Sequence, residues 1–206
     1  MKRVEIEAKT DQEALKEASR ILNISQDHID LAIVKEKRNL LGISQSTVYL
    51  ATPNVNLVTA GKEYIENILF NMNIECKTEF RTFDGGMQIF YNIETEENSL
   101  LIGREGRNLA ALQFLLRNYL SQFTESRLIV NLDIGGYHSN RKKQLEILAT
   151  KTAKEVAKTK IEVKLDPMNS YERRIIHTKL SEWHDVETIS EGEGQDRALI
   201  IRPKQK

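Results

Sequence analysis

The chain has 206 residues, 40% of them hydrophobic and 29% charged, with 30 basic against 30 acidic side chains. That is room for one or two ordinary domains or three very small ones, with enough apolar residues for true cores. No run approaches the roughly 18 apolar residues of a membrane span; the opening MKRVEIEAKT lacks the apolar stretch of a signal peptide; and a lone cysteine, Cys76, excludes an internal disulfide framework and a multi-cysteine zinc site. These features predict a cytoplasmic protein.

In chain order, RVEIEAKT alternates apolar and polar residues and reads as a strand. A helix follows, with Thr10 as N-cap, Glu13 completing a capping box, and Ala14, Leu15, Ala18, Ile21 and Leu22 as its apolar face. IDLAIVKEKR and STVYLATP are two more strands, and Pro53 marks the boundary because it cannot continue a paired central strand. From Leu57 a helix carries Ile65, Ile68, Leu69 and Met72. Two strands flank Asp84-Gly85-Gly86, a hairpin turn that needs positive φ. A short helix through NSLLIG, capped by Asn98 or Ser99, leads into Gly103-Arg104-Glu105-Gly106. The next helix places Leu109, Leu112, Leu116, Tyr119 and Phe123 on one face, and RLIVNLDI closes as a strand.

The last third is different in charge. Between Tyr137 and Lys164 there are 8 basic and 3 acidic residues, most of them on a long helix over 138–160 with the stripe Leu145, Leu148, Thr152, Val156. IEVKLDP is a short strand. MNSYERRIIHTKLSEW is a helix capped by Asn169 or Ser170, with Glu172 in its first turn, and DVETIS and RALIIRP form two strands around EGEGQD. The whole is α+β: three small domains in tandem, over 1–52, 57–134 and 138–206.

The glycine pair decides between functions. A dinucleotide fingerprint needs a third glycine and a preceding strand, and a P-loop needs Lys-Ser/Thr; neither is present. A lone Gly-x-x-Gly is usually a turn, but the order α-β-β-α-α-β around it resembles a type II KH domain, whose loop clamps about four nucleotides of backbone. There the glycines let a sugar-phosphate chain approach closely, and the following helix offers unpaired N–H groups at Gly106, Arg107 and Asn108 and the positive end of its dipole. Arg104 and Arg107 add cations for phosphate, whereas Glu105 puts a carboxylate inside the loop.

Arg173 and His177 stand four apart, hence on one helix face. The block from Lys164 to Pro203 resembles the R3H domain, named for that spacing, which binds single-stranded nucleic acid. Arg174, Lys179 and Arg197 add charge. With KH and R3H modules in tandem behind a β-α-β-β unit, the chain resembles the Jag family, also called KhpB or EloR. LDIGGY…RKK and SEGEG carry the likeness further, while KRNLLGI keeps only Leu41-Gly42 of the usual Lys-Lys-Gly-Phe-Leu-Gly stretch.

The resemblance implies a non-enzymatic, cytoplasmic binder of single-stranded RNA, or of single-stranded DNA through R3H. It implies a role in cell elongation, cell shape and envelope synthesis. A small single-KH protein, a second copy of the chain or a membrane-associated protein are the partners expected. The alternative is a protein-interaction adaptor with little RNA binding, favoured by the zero net charge and Glu105. No cofactor is expected. His28, His138 and His184 lack ligand spacing, so no metal is expected either. Cys76 reads as a buried strand thiol, ETEEN as a solvated acidic run and Trp183 as a core or edge anchor.

Overall fold

The computed structural model describes residues 1–38 and 44–204, so Leu41-Gly42 lie outside the described residues. The chain divides into two compact units, Met1–Gly135 and Gly136–Lys206.

The first unit holds two three-stranded sheets. Strand β1 (Val4–Ala8) and helix α1 (Asp11–Leu22) are followed by β2 (Ile29–Arg38) and β3 (Ser44–Pro53), paired antiparallel in the order β1-β3-β2. Thr10 caps α1 by accepting from the Glu13 N–H at 3.2 Å, and the Glu13 carboxylate reaches back to the Lys9 N–H. Ala14, Ala18 and Leu22 are buried against the sheet, whereas Ile21 turns to solvent because the stripe is narrower than the run of apolar residues suggests. Pro53 is the last residue of central β3, where its missing N–H costs the ladder least.

Helix α2 (Leu57–Asn71), strands β4 (Lys77–Phe83) and β5 (Gln88–Glu94), helices α3 (Asn98–Ile102) and α4 (Arg107–Ser121), and strand β6 (Ile129–Ile134) complete the unit. Its second sheet runs β4-β5-β6, with β4 antiparallel and β6 parallel to β5. Asp84, Gly85 and Gly86 all take positive φ in the hairpin turn. α2 approaches the sheet closely at Gly61, where an added Cβ would lie 2.1 Å from Tyr91 Oη. The Tyr91 hydroxyl donates to the Val58 carbonyl at 3.0 Å, and its burial pushes the phenol well above the usual range.

Met72 is exposed rather than part of the α2 stripe, and the α3 N-cap is Glu97 rather than Asn98 or Ser99. Asn98 packs instead against the Cα of Gly135. The apolar face of α4 splits. Leu109, Leu112, Leu116 and Leu120 are buried along the helix. Phe123, with Tyr119 beside it, joins the core of the first sheet alongside Leu57. The Lys2 N–H donates to the Phe123 carbonyl at 3.0 Å, and Tyr119 stacks on Tyr64 at 4.1 Å. The two sheets are thereby tied into one unit. Cys76 sits just ahead of β4, only half-buried, and the desolvation it does undergo pushes its thiol up.

In the second unit, α5 (Tyr137–Thr159) and α6 (Ser170–Leu180) pack on the antiparallel sheet of β7 (Val163–Lys164), β9 (Ala198–Pro203) and β8 (Val186–Glu191), in that order. The core is Leu145, Ala149, Ala153 and Val156 of α5 with Ile176 and Leu180 of α6 and Leu199 and Ile201 of β9. Leu148 is exposed and Ala149 takes the place expected of it, since a small residue lets α5 approach the sheet and α6. Trp183 packs partly against this core.

Candidate nucleic-acid interface

The Gly103–Asn108 loop is built on strained backbone. Gly103 has φ 69° and ψ −179°, a conformation essentially confined to glycine. Glu105 (φ 54°) and Gly106 (φ 77°) are left-handed. Three positive-φ residues within four positions turn the chain from α3 into α4, through a short 3-10 turn over Arg104–Gly106.

This geometry changes two readings of the loop. The position a Gly103 Cβ would take is 2.6 Å from Asn108 Cγ, so that face is filled by Asn108 and not open to a strand. Asn108 in turn donates from Nδ2 to the Leu100 carbonyl at 2.8 Å, holding the end of α3. The N–H groups of Gly106 and Arg107 are also not free: they donate to the Gly103 and Arg104 carbonyls within the tight turn, and Gly106 is buried. What the loop offers outward is side-chain charge. Arg104 and Arg107 are exposed, as is Glu105, which forms no ion pair with either arginine among the described residues.

The second cluster lies on one flank of α6. Asn169 caps the helix by accepting from the Glu172 N–H at 3.0 Å, which sets the start of the turn and hence the direction of the side chains that follow. Successive residues rotate about 100°, so Arg173, Arg174 and His177 share the flank that faces β8. With Thr188 and Ser190 of β8 and Arg197 just ahead of β9 they line an open depression of ≈ 380 Å³. His177 Nδ1 lies 2.6 Å from Thr188 Oγ1, which fixes the ring plane. Arg197 Nε donates to Ser190 Oγ at 3.0 Å. Four of the five residues expected to act here therefore meet. Lys179 does not: it projects from the opposite flank, toward α5.

A buried ion pair sets the position of α6. The Glu172 carboxylate, 7% exposed, accepts from Arg141 Nε of α5 at 2.7 Å. A first-turn Glu favours the helix dipole in any sequence, but nothing in the local pattern marks its partner 31 residues away.

Residues 143–203 match the R3H domain. Over its full length the chain is 33% identical to RNA-binding protein KhpB of Clostridium symbiosum, of which it covers 94%. It is 30% identical over 99% of its length to RNA-binding protein KhpB of Bacillus subtilis (strain 168), all of which it covers. The chain belongs to the Jag/KhpB family. A further KhpB, from Lactiplantibacillus plantarum, is 42% identical over 110 residues, 53% of this chain and 34% of that protein.

Within the R3H domain the depression joins the named Arg-x-x-x-His pair to residues that no motif marks. Thr188 and Ser190 show only the alternation of a strand, two apart and so on one face of β8. Among the described residues, no group of three or more His, Cys, Asp or Glu side chains could hold a metal ion, and no helix is long and apolar enough to cross a membrane.

Proposed function

We propose that this protein binds single-stranded RNA in the cytoplasm, without catalysis, as a post-transcriptional regulator. The observation that carries the reading is the convergence of Arg173, Arg174, His177 and Arg197 on one depression inside the R3H domain. Guanidinium groups hold phosphate through paired N–H donors. The exposed His177 imidazole, its plane set by Thr188, is placed to stack on a base or to donate to one. Relatives along the full length are named RNA-binding proteins, which supports RNA as the strand.

Residues 57–134 supply a second contact as a type II KH module. Here the loop acts through Arg104 and Arg107 more than through bare backbone, since Asn108 and the tight turn occupy the glycine face and the first N–H groups. Two weak sites on one chain raise the effective concentration of each for a strand already held by the other. The family likeness extends the reading to cell elongation, cell shape and envelope synthesis, with a small single-KH protein as partner.

The test is equilibrium binding of the full chain to labelled single-stranded RNA, with DNA of the same sequence alongside. Arg173→Ala/His177→Ala and Arg104→Ala/Arg107→Ala are each expected to weaken RNA binding about tenfold, as loss of one or two charge-assisted hydrogen bonds implies. The arginine pair is a cleaner probe of the loop than Gly103→Asp, which would collide with Asn108. Unchanged affinity in both double variants, with circular dichroism intact, would reject the reading.

A further inference from the structure

Lys179 leaves the depression but does not stand alone. With Lys143, Ile147, Thr150, Lys151 and Lys154 of α5 it lines an open groove of ≈ 550 Å³. We infer that this groove is a second phosphate track in the same domain, along which an RNA strand continues after crossing α6 from the arginine–histidine depression. The inference rests on the RNA-binding reading above and adds to it a site, a path and a length of strand.

The charge is one-sided. Lys143, Lys151, Lys154 and Lys179 are exposed, and among the described residues none is held in an ion pair. Glu146, the one acidic residue at the groove, lies 4.0 Å from Lys142. Lys143, Lys151 and Lys154 share one helix face, and at about 1.5 Å rise per residue the outer two lie about 16 Å apart along the axis. That is a row of point charges along one side of the groove, placed to meet the phosphates of a strand lying in it. The floor carries no base-reading chemistry: Ile147 is 68% exposed, and the Thr150 hydroxyl donates to the Glu146 carbonyl. Among the described residues no aromatic side chain lines it, so bases find no ring to stack on there. Such a groove follows a backbone and ignores sequence.

Continuity with the depression argues for RNA over an acidic protein. The two basic surfaces occupy opposite flanks of α6, and the crest between them carries Tyr171 and Thr178, two helical turns apart on one face. Tyr171 is 61% exposed, an aromatic face on the crossing. A helix is about 10–12 Å across, a span of about three stacked nucleotides at about 3.4 Å each.

The experiment compares the full chain with Lys143→Gln/Lys151→Gln/Lys154→Gln, on single-stranded RNA of about 4 and about 16 nucleotides, the range of single-strand site sizes, across a salt series. The lysine variant should bind the short RNA as the unaltered chain does. On the long RNA it should lose about tenfold in affinity, and its log-affinity against log-salt slope should fall by about 2, since each single-strand phosphate contact contributes about 0.7. The matching Lys→Arg variant should keep the slope. An unchanged slope and affinity on long RNA overturns the track while leaving the depression intact. So does loss of binding to a polyglutamate probe with RNA binding unaffected, which assigns the groove to an acidic protein. Absence of salt-sensitive RNA binding by the unaltered chain overturns both readings.

Discussion

The ion pair between Arg141 and Glu172 sets how α6 lies on α5, and its removal has a calculable cost. Glu172 Oε1 and Arg141 Nε are 2.7 Å apart, with the carboxylate 7% and the guanidinium 22% exposed. A hydrogen bond between charged groups contributes about 1.5–3 kcal/mol. The carboxylate adds about 0.3–1 kcal/mol by its place in the first turn of the helix. Breaking a fully buried pair costs about 3–5 kcal/mol, but water reaches Arg141, which pulls the figure down. Glu172→Ala should therefore cost about 2–3 kcal/mol. Glu172→Gln, which keeps an acceptor for Arg141, should cost about 1 kcal/mol. Trp183 is the only tryptophan of the chain and packs against the core of the second unit, so its fluorescence reports that unit alone. For a unit of this size each kcal/mol moves the midpoint about 4–8 °C, so Glu172→Ala should melt on the order of 10 °C lower with Glu172→Gln between. A Trp183 transition unmoved by Glu172→Ala would refute the reasoning.

Two further outcomes follow from the first unit. The Tyr91 phenol is raised by burial, so above about pH 10 the unfolded chain ionises there while the folded one does not; stability is full below that pH and declines as pH rises, by up to about 1.4 kcal/mol per pH unit. Tyr91→Phe should lose that part of the decline, read from urea melts at pH 9 to 11 compared with the unaltered chain. In the Gly-x-x-Gly loop, Glu105→Gly relieves a left-handed residue at φ 54° and should stabilise the first unit by about 1 kcal/mol. Glu105→Gly and Glu105→Gln should both tighten RNA binding about two- to fivefold by removing an exposed carboxylate beside Arg104 and Arg107; equal affinity in all three would place the loop off the RNA path.

The chain of elements was legible because it is written in local terms. Thr10 and Asn169 cap helices through their own neighbours, and Asp84-Gly85-Gly86 has the turn chemistry that positive φ demands. Period-3.6 stripes placed the helices to within about three residues at their ends, but not their exact buried faces: Ile21, Met72 and Leu148 are apolar, in register with core neighbours, and exposed. Periodicity says that a residue lies near the apolar face but not how wide the contact is, which depends on what packs there.

Gly103-x-x-Gly106 and Arg173-x-x-x-His177 were likewise visible as spacings, and the family could be read from their order along the chain. How those residues act was set by partners distant in sequence or by backbone angles. Asn108 fills the space beside Gly103, and the 3-10 turn consumes the N–H groups of Gly106 and Arg107 that a helix start would leave open. Arg197 reaches the depression because β9 pairs with β8 beside α6. Lys179, two residues from His177, goes to the other side, since two steps of about 100° carry a side chain across the helix. Spacing along a helix fixes which residues share a flank; only the packing of α6 between α5 and β8 decides that one flank meets a strand and the other a row of lysines.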